Sequence, residues 1–471
     1  MGQRVNSRGR RAPTFAVVTG LLVVGLVALT GVGAVAAWRD GRLNGVICGG
    51  ECGPEYVIAP VGLRSAEPGD AGPDDTPASP ELEAVLDRAR GPLDAAVLGE
   101  HKAVAVAGTE PDGIIVATSD DAFIPASTTK LLTSFAALTV LDPQTRFDTR
   151  ARLDGDRLVL VGGGDPYLTD ERRPGDPAVV RADLKTLATE TASTLEDARI
   201  TAVTLGYDDT LFTGPSVNPA WPHTYVRDNV VTPIGALWVD RGMVDTSRPE
   251  TTPRIADPAA DARDTFAAFL RAAGIEVTID RALRKAPDGA RVVGQVTGST
   301  VAQIVESTIR TSDDEAAEVL LRHIAIAKGR PASSAEGAAV VVATLQDAGI
   351  DVGGLVLKDG SGLSRENRIS PTTLVQVVRT SLTESRYAPV IDDLPVNGFS
   401  GTLAARYVTS TRGLVRAKTG TLTGVHALAG IVTDQQGRPV VFAAMADATD
   451  RTAPFGALSA LDRIASAIAG R

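Results

Sequence analysis

The chain has 471 residues, 44% of them hydrophobic and 4% aromatic, with a formal net charge of -10 at pH 7. That length is enough for two or three domains with buried cores. The acidic balance suggests no basic face and argues against nucleic acid as a partner.

Arg4, Arg8, Arg10 and Arg11 precede an uncharged run from Phe15 to Trp38, rich in Val, Leu, Ala and Gly. A run of this length can cross a bilayer as a helix, and basic residues ahead of it favour a cytoplasmic N-terminus. The sequence therefore predicts a cytoplasmic tail over 1–14 and a single membrane anchor over 15–38, with the rest of the chain outside the cytoplasm at the cell membrane. A cleaved signal competes, because Ala34-Val35-Ala36 suits a signal peptidase and would leave a secreted protein. A buried core helix is the blander alternative. Cys48 and Cys52 could close a local disulfide or remain idle thiols. A metal site normally needs four ligands, and no histidine lies near them. From 39 to 80, Gly, Pro, Asp and Glu dominate without apolar periodicity, as in a flexible linker.

Folded patterning begins near Pro80 with Leu82, Val85 and Leu86 at helical spacing. Two apolar runs, 103–107 and 114–117, flank Pro111-Asp112-Gly113 and predict a hairpin. A helix follows from Ser127 to Leu138. Leu153-Asp154-Gly155-Asp156 predicts another hairpin turn, and Gly162-Gly163-Gly164-Asp165-Pro166 a tight loop. That loop lacks the lysine and the helix a phosphate loop needs. A helix over 182–196, a strand over 201–205 and an irregular stretch around Pro219-Ala220-Trp221-Pro222 come next. Patterning resumes with a helix over 259–273 and another from Ser312 or Asp313. The C-terminal part reads as strands over 414–418, 428–433 and 440–445, then a helix over 455–469. The predicted class is α+β, an antiparallel sheet covered by helices, with residues 81–147 and 256–471 forming one domain and 148–255 inserted into it.

Three short motifs carry chemistry. Ser127-Thr128-Thr129-Lys130 opens a helix, so Ser127 and Lys130 share a face. A serine needs a base to become a nucleophile, and a lysine whose pKa is lowered can be that base. The helix N-terminus adds backbone N–H groups suited to an oxyanion. Alone the motif is weak: about one or two such matches arise by chance in a chain this long, and a capping serine with a surface lysine looks the same. Ser312-Asp313-Asp314 is as readily a helix cap, with Ser312 and Glu315 as a capping box. Lys418-Thr419-Gly420, followed by Thr421, places a lysine on a strand where it could hold a carboxylate, and a glycine that admits close backbone approach. An exposed strand lysine is the plain alternative. His101, His223, His323 and His426 have no metal-ligand spacing.

The order of the three is far more specific than any one of them. It resembles penicillin-binding proteins and serine β-lactamases, and within them the D-Ala-D-Ala carboxypeptidase/endopeptidase family, the class C low-molecular-mass penicillin-binding proteins. Gly164-Asp165-Pro166, the run Asp359 to Arg365, Leu394-Pro395 and Gly401-Thr402-Leu403 look like that family's accessory motifs, and the resemblance spans 80–471. It implies the penicillin-binding fold with an insertion, and hydrolysis of D-Ala-D-Ala bonds of peptidoglycan stem peptides through an acyl-enzyme. Ser127 would be acylated, Lys130 would be its base and Ser312 would pass a proton to the leaving amine. Lys418 and Thr419 would bind the terminal carboxylate, Gly420 would admit the close approach, and the N–H groups of Ser127 and Thr421 would form the oxyanion hole. β-Lactams would be covalent inhibitors, and no metal or organic cofactor would be required.

Two departures stand out. The triplet ends in Asp314 where the family has asparagine, and a carboxylate beside Lys130 favours the ammonium form. On that ground Asp314→Asn is expected to speed acylation by penicillin. The insertion is also shorter than in many relatives, so one accessory domain is expected to be reduced or absent. The rival readings are a β-lactamase, for which no deacylating glutamate is visible, and a non-catalytic wall-binding scaffold.

Overall fold

A computed structural model of the chain describes residues 79–110, 113–172, 182–248, 251–282, 285–406 and 409–471, all within one unit, Ser65–Arg471. The expected membrane span, the cysteine pair, the linker and two residues of the first hairpin turn lie outside the described residues. No helix among the described residues is long and apolar enough to cross a membrane.

Helix α1 (Ser79–Leu93) buries Leu82, Val85 and Leu86, the residues whose spacing predicts it. Strands β1 (Lys102–Ala107) and β2 (Ile115–Ala117) then pair antiparallel. A 3-10 turn, Ala126–Thr128, leads into α2 (Thr129–Val140). Next come β3 (Arg146–Asp154), β4 (Arg157–Val161), α3 (Leu184–Asp197) and β5 (Ala202–Asp208). After an irregular stretch follow α4 (Pro258–Ala272), β6 (Glu276–Ile279) and β7 (Arg291–Thr300). Five helices succeed one another: α5 (Val301–Thr311), α6 (Asp314–Ala327), α7 (Ser334–Asp347), α8 (Pro371–Thr383) and the short α9 (Ala388–Ile391). The chain closes with β8 (Val415–Leu422), β9 (Val425–Thr433), β10 (Pro439–Ala446) and α10 (Pro454–Ile468).

The strands form two sheets. The first, in order β2-β1-β10-β9-β8, is antiparallel throughout. Successive side chains point to opposite faces, and here both faces are covered. Ala105, Ala429, Ile431 and Met445 pack with residues of α2, α5, α6 and α8, whereas Val104, Val106, Leu428 and Phe442 pack with α1 and α10. The architecture is therefore α+β, an antiparallel sheet between helical layers.

The second sheet, β6-β5-β4-β3-β7, is mixed, with β4–β5 and β5–β6 parallel. Helices α3 and α4 cover it through Leu184, Leu187, Phe266 and Leu270. It extends past residue 256, where the sequence suggested a return to the first domain. Helix α4 and strands β6 and β7 all belong to it, and the chain rejoins the first layer only at α5. An amphipathic helix shows the same periodicity whichever sheet it covers, so the pattern could not place that boundary.

Candidate active site

Ser127 sits in the 3-10 turn ahead of α2, after Ala126, whose φ of +46° is rare for a residue with a Cβ. The turn sets Ser127 and Lys130 side by side, with Lys130 Nζ donating to Ser127 Oγ at 2.9 Å. Lys130 is fully buried. Its other partners are Asp314 Oδ1 at 2.7 Å and the Ser361 carbonyl at 2.7 Å. The Asp314 side chain keeps 21% of its surface open. Burial raises its carboxyl above the usual range, and the charge of Lys130 opposes that rise.

Ser312 is not the N-cap of α6. It terminates α5 in the left-handed conformation, φ +63°, and Asp313 is the N-cap of α6, accepting from Ala316 N at 3.0 Å. The expected Ser312–Glu315 capping box is therefore replaced, and the Ser312 hydroxyl is left to accept from Lys418 Nζ at 2.8 Å. Lys418 is fully buried on β8. Burial and the charge of Lys130 push its pKa well below the ordinary lysine range, with Asp314 pulling it back.

Gly420 lies where β8 approaches the backbone ahead of Ser127. A Cβ there would lie 2.6 Å from the Pro125 carbonyl, so only glycine lets β8 run against the segment carrying Ser127. Thr419 Oγ1 shares a 2.8 Å hydrogen bond with Thr402 Oγ1. Thr421 is exposed at the end of the strand and pairs in register with His426. The site thus brings together Ser127, Lys130, Ser312, Asp314, Lys418 and Thr419, from three separate parts of the chain.

The accessory motifs brace this cluster. Asp359 accepts from Gly362 N, Ser364 N, Asn367 Nδ2 and Trp221 Nε1 at 3.0, 2.6, 2.6 and 2.7 Å. Gly362, at φ +87°, lies against the Ala126 carbonyl where a Cβ would collide. Pro395 O accepts from Ala417 N at 2.9 Å, so the Leu394-Pro395 segment lines the edge of β8.

Several contributors were not legible as motifs. Glu318, one turn beyond Asp314 and fully buried, accepts from Gly360 N at 2.8 Å and Ser361 N at 3.0 Å. It thereby fixes the carbonyl that Lys130 binds. An acidic residue within the apolar α6 was the available signal. Arg241 Nη1 donates to Asp313 Oδ2 at 2.7 Å, reaching in from the irregular stretch. Tyr225, Trp221 and Phe212 of that stretch pack with Leu363 and Leu422, beside two of the site motifs. Among the described residues no three His, Cys, Asp or Glu side chains form a metal site. His426 is buried, with Nδ1 paired to Thr449 Oγ1 at 2.9 Å.

The D-Ala-D-Ala carboxypeptidase 3 (S13) family profile matches residues 89–253 and 245–468. A carboxypeptidase of Mycobacterium tuberculosis is 34% identical over 338 residues, 69% of this chain and 71% of that protein. Carboxypeptidase DacB of Mycolicibacterium smegmatis is 34% identical over 353 residues, 72% and 75% of the two chains. Penicillin binding protein 4 of Haemophilus influenzae has a similar fold, with a TM-score of 0.64 at 21% identity, over 80% of this chain and 98% of that one.

Proposed function

The chain belongs to the D-Ala-D-Ala carboxypeptidase 3 (S13) family, and from that membership we propose how its residues carry the reaction. The protein is a serine-type D-Ala-D-Ala carboxypeptidase of peptidoglycan, in the penicillin-binding class. The observation carrying the assignment of roles is the pair of serine–lysine hydrogen bonds, Ser127–Lys130 at 2.9 Å and Ser312–Lys418 at 2.8 Å.

Ser127 attacks the carbonyl of the penultimate D-Ala, and Lys130, buried and in contact, receives its proton. The N–H groups of Ser127 and Thr421 hold the oxyanion; the close packing of β8 on the Pro125–Ala126 segment supports that role. Lys418 and Thr419 bind the terminal carboxylate. A cation 2.8 Å from Ser312 lowers the cost of that hydroxyl giving its proton to the departing D-Ala amine. Water then hydrolyses the ester. Asp314, partly open, meets the peptide beside the scissile bond.

Incubating the protein with a D-Ala-D-Ala peptide, and in parallel with labelled penicillin, tests these roles. Release of D-Ala and stable labelling, both lost in Ser127→Ala, are expected. Rapid turnover of the label would mark a β-lactamase, and absence of labelling a scaffold. The uncharged run Phe15–Trp38 is the basis for reading the protein as anchored, with its catalytic part outside the cytoplasm. Cell fractionation before and after deletion of 15–38 checks this, and an unchanged distribution would refute it.

A further inference from the structure

Lys130 Nζ has three acceptors, namely Ser127 Oγ, Asp314 Oδ1 and the Ser361 carbonyl, at 2.9, 2.7 and 2.7 Å. The carbonyl can only accept, and Glu318 holds it in place through Gly360 N and Ser361 N. An ammonium satisfies all three acceptors with its three hydrogens. A neutral amine has two N–H groups and a lone pair. With the hydrogens committed to Ser361 and Asp314, the lone pair faces the Ser127 hydroxyl. The ammonium reaches that state by passing one proton to Asp314 Oδ1 across the 2.7 Å line and turning about the Cε–Nζ bond.

We propose that Asp314 is the terminal proton acceptor of the acylation step, with Lys130 relaying the proton. This rests on Ser127 being the nucleophile and Lys130 the group that deprotonates it. An Nζ–H proton first crosses to Asp314 Oδ1; the neutral amine turns its lone pair to Ser127, whose Oγ–H bond then breaks as its proton passes to Nζ. Oγ bonds to the substrate carbonyl carbon, and the carbonyl π pair moves onto oxygen. Lys130 begins and ends as an ammonium. The carboxylate becomes a carboxylic acid, and its negative charge is carried over to the oxyanion. When the C–N bond breaks, the amine takes a proton from Ser312, which is replaced from Lys418. When water cleaves the ester, its proton restores Lys418, and the proton held on Asp314 returns to Ser127.

The surroundings suit a carboxyl that can be charged in one step and neutral in the next. Burial favours its neutral form; Lys130 from α2 and Lys418 from β8 favour the charged form, and Asp313 from its own helix opposes them. Glu315 on α6 and Tyr225 from the irregular stretch also face it. Asp313 is committed to Arg241 and Glu315 lies 3.6 Å from Arg254, so neither carboxyl competes for Lys130. The carboxylate read from the sequence as hostile to the base becomes the destination of the proton, and the expected gain on Asp314→Asn becomes a loss.

The test is the pre-steady-state acylation rate of the full chain by a fluorescent penicillin, from about pH 4.5 to about pH 10, for the native protein, Asp314→Asn and Ser127→Ala. Native acylation requires an ionised Asp314, so its acid limb follows that carboxyl, which burial raises above the usual carboxylate range. Asparagine takes no proton, so in Asp314→Asn the lysine must first release its own to solvent, which an ordinary lysine does far above that range. The acid limb is expected to move alkaline by more than about one pH unit, with a loss of at least roughly tenfold on its acid side. Thermal melting confirms that the near-isosteric variant is folded. An acid limb that stays in place or moves acid, or faster acylation at every pH, overturns the relay. Labelling that persists in Ser127→Ala overturns the nucleophile assignment instead. Loss of labelling in Ser127→Ala together with an unmoved limb in Asp314→Asn refutes the relay alone.

Discussion

Glu318 shows how a residue remote from the substrate can govern the base. Its carboxylate is fully buried, and it meets two backbone N–H groups, Ser334 Oγ and Arg322 Nη1. Removing one partner of a buried ionic network leaves the others uncompensated, at a cost of about 3–5 kcal/mol. Glu318→Ala should lower the urea midpoint accordingly and slow penicillin acylation, because the Ser361 carbonyl loses its anchor. Glu318→Gln keeps an acceptor for the loop and should retain most of the acylation rate. Equal acylation in Glu318→Ala and the native protein would deny the residue any influence on Lys130. No short motif marks Glu318, since the two N–H groups it anchors, those of Gly360 and Ser361, lie some forty residues away on another segment.

At the scale of elements, the junction of α5 and α6 sets the second serine. Two helices meet at Ser312, whose left-handed backbone is possible because Asp313 takes over the cap. Arg241 secures the second oxygen of Asp313, and it is presented by a run of left-handed residues: Asp240, Arg241 and Gly242, with φ of +49°, +56° and +63°. Strain of this kind persists only where the surroundings over-determine it. Arg241→Ala should therefore lower kcat for D-Ala release by about tenfold or more, with KM little changed, since a loss of about 1.4 kcal/mol in the transition state alone acts on kcat. Arg241→Lys should recover part of it. A change confined to KM would place Arg241 in substrate binding instead. The sequence shows the acidic triplet but not the arginine that orders it, because the two lie some seventy residues apart.

At the scale of the whole molecule, His323 ties α6 to the layer of the second sheet. Its ring stacks on Phe147 of β3 with centroids 3.5 Å apart, and Nε2 donates to the Gly164 carbonyl at 3.0 Å. The glycine loop is thus a packing turn; a Cβ on Gly164 would lie 2.5 Å from that nitrogen. Burial lowers the His323 pKa from 6.5 to about 4. The unfolded chain therefore takes up the proton first as pH falls. The stability linked to the neutral ring is whole above about pH 6.5 and is lost as pH falls through about 4, a total of order 3 kcal/mol. His323→Gln should be less stable at pH 7 yet lose less on acidification, read as urea midpoints at pH 7 and 4.5. Parallel pH profiles of the two proteins would contradict this.

The order of Ser127, Lys130, Ser312 and Lys418 along the chain, with alternating apolar strands and 3.6-period helices, pointed through a family resemblance to the fold class and the enzyme family. The strand and helix patterns are local, each following from backbone geometry that neighbouring residues share. Tertiary structure alone decided that Asp313 rather than Ser312 caps α6, that the second sheet extends to Thr300, and that Arg241 and Glu318 reach the site. It also placed Asp314 and the Ser361 carbonyl, brought in from a distant loop, on the same lysine nitrogen, the geometry on which the proposed proton relay rests.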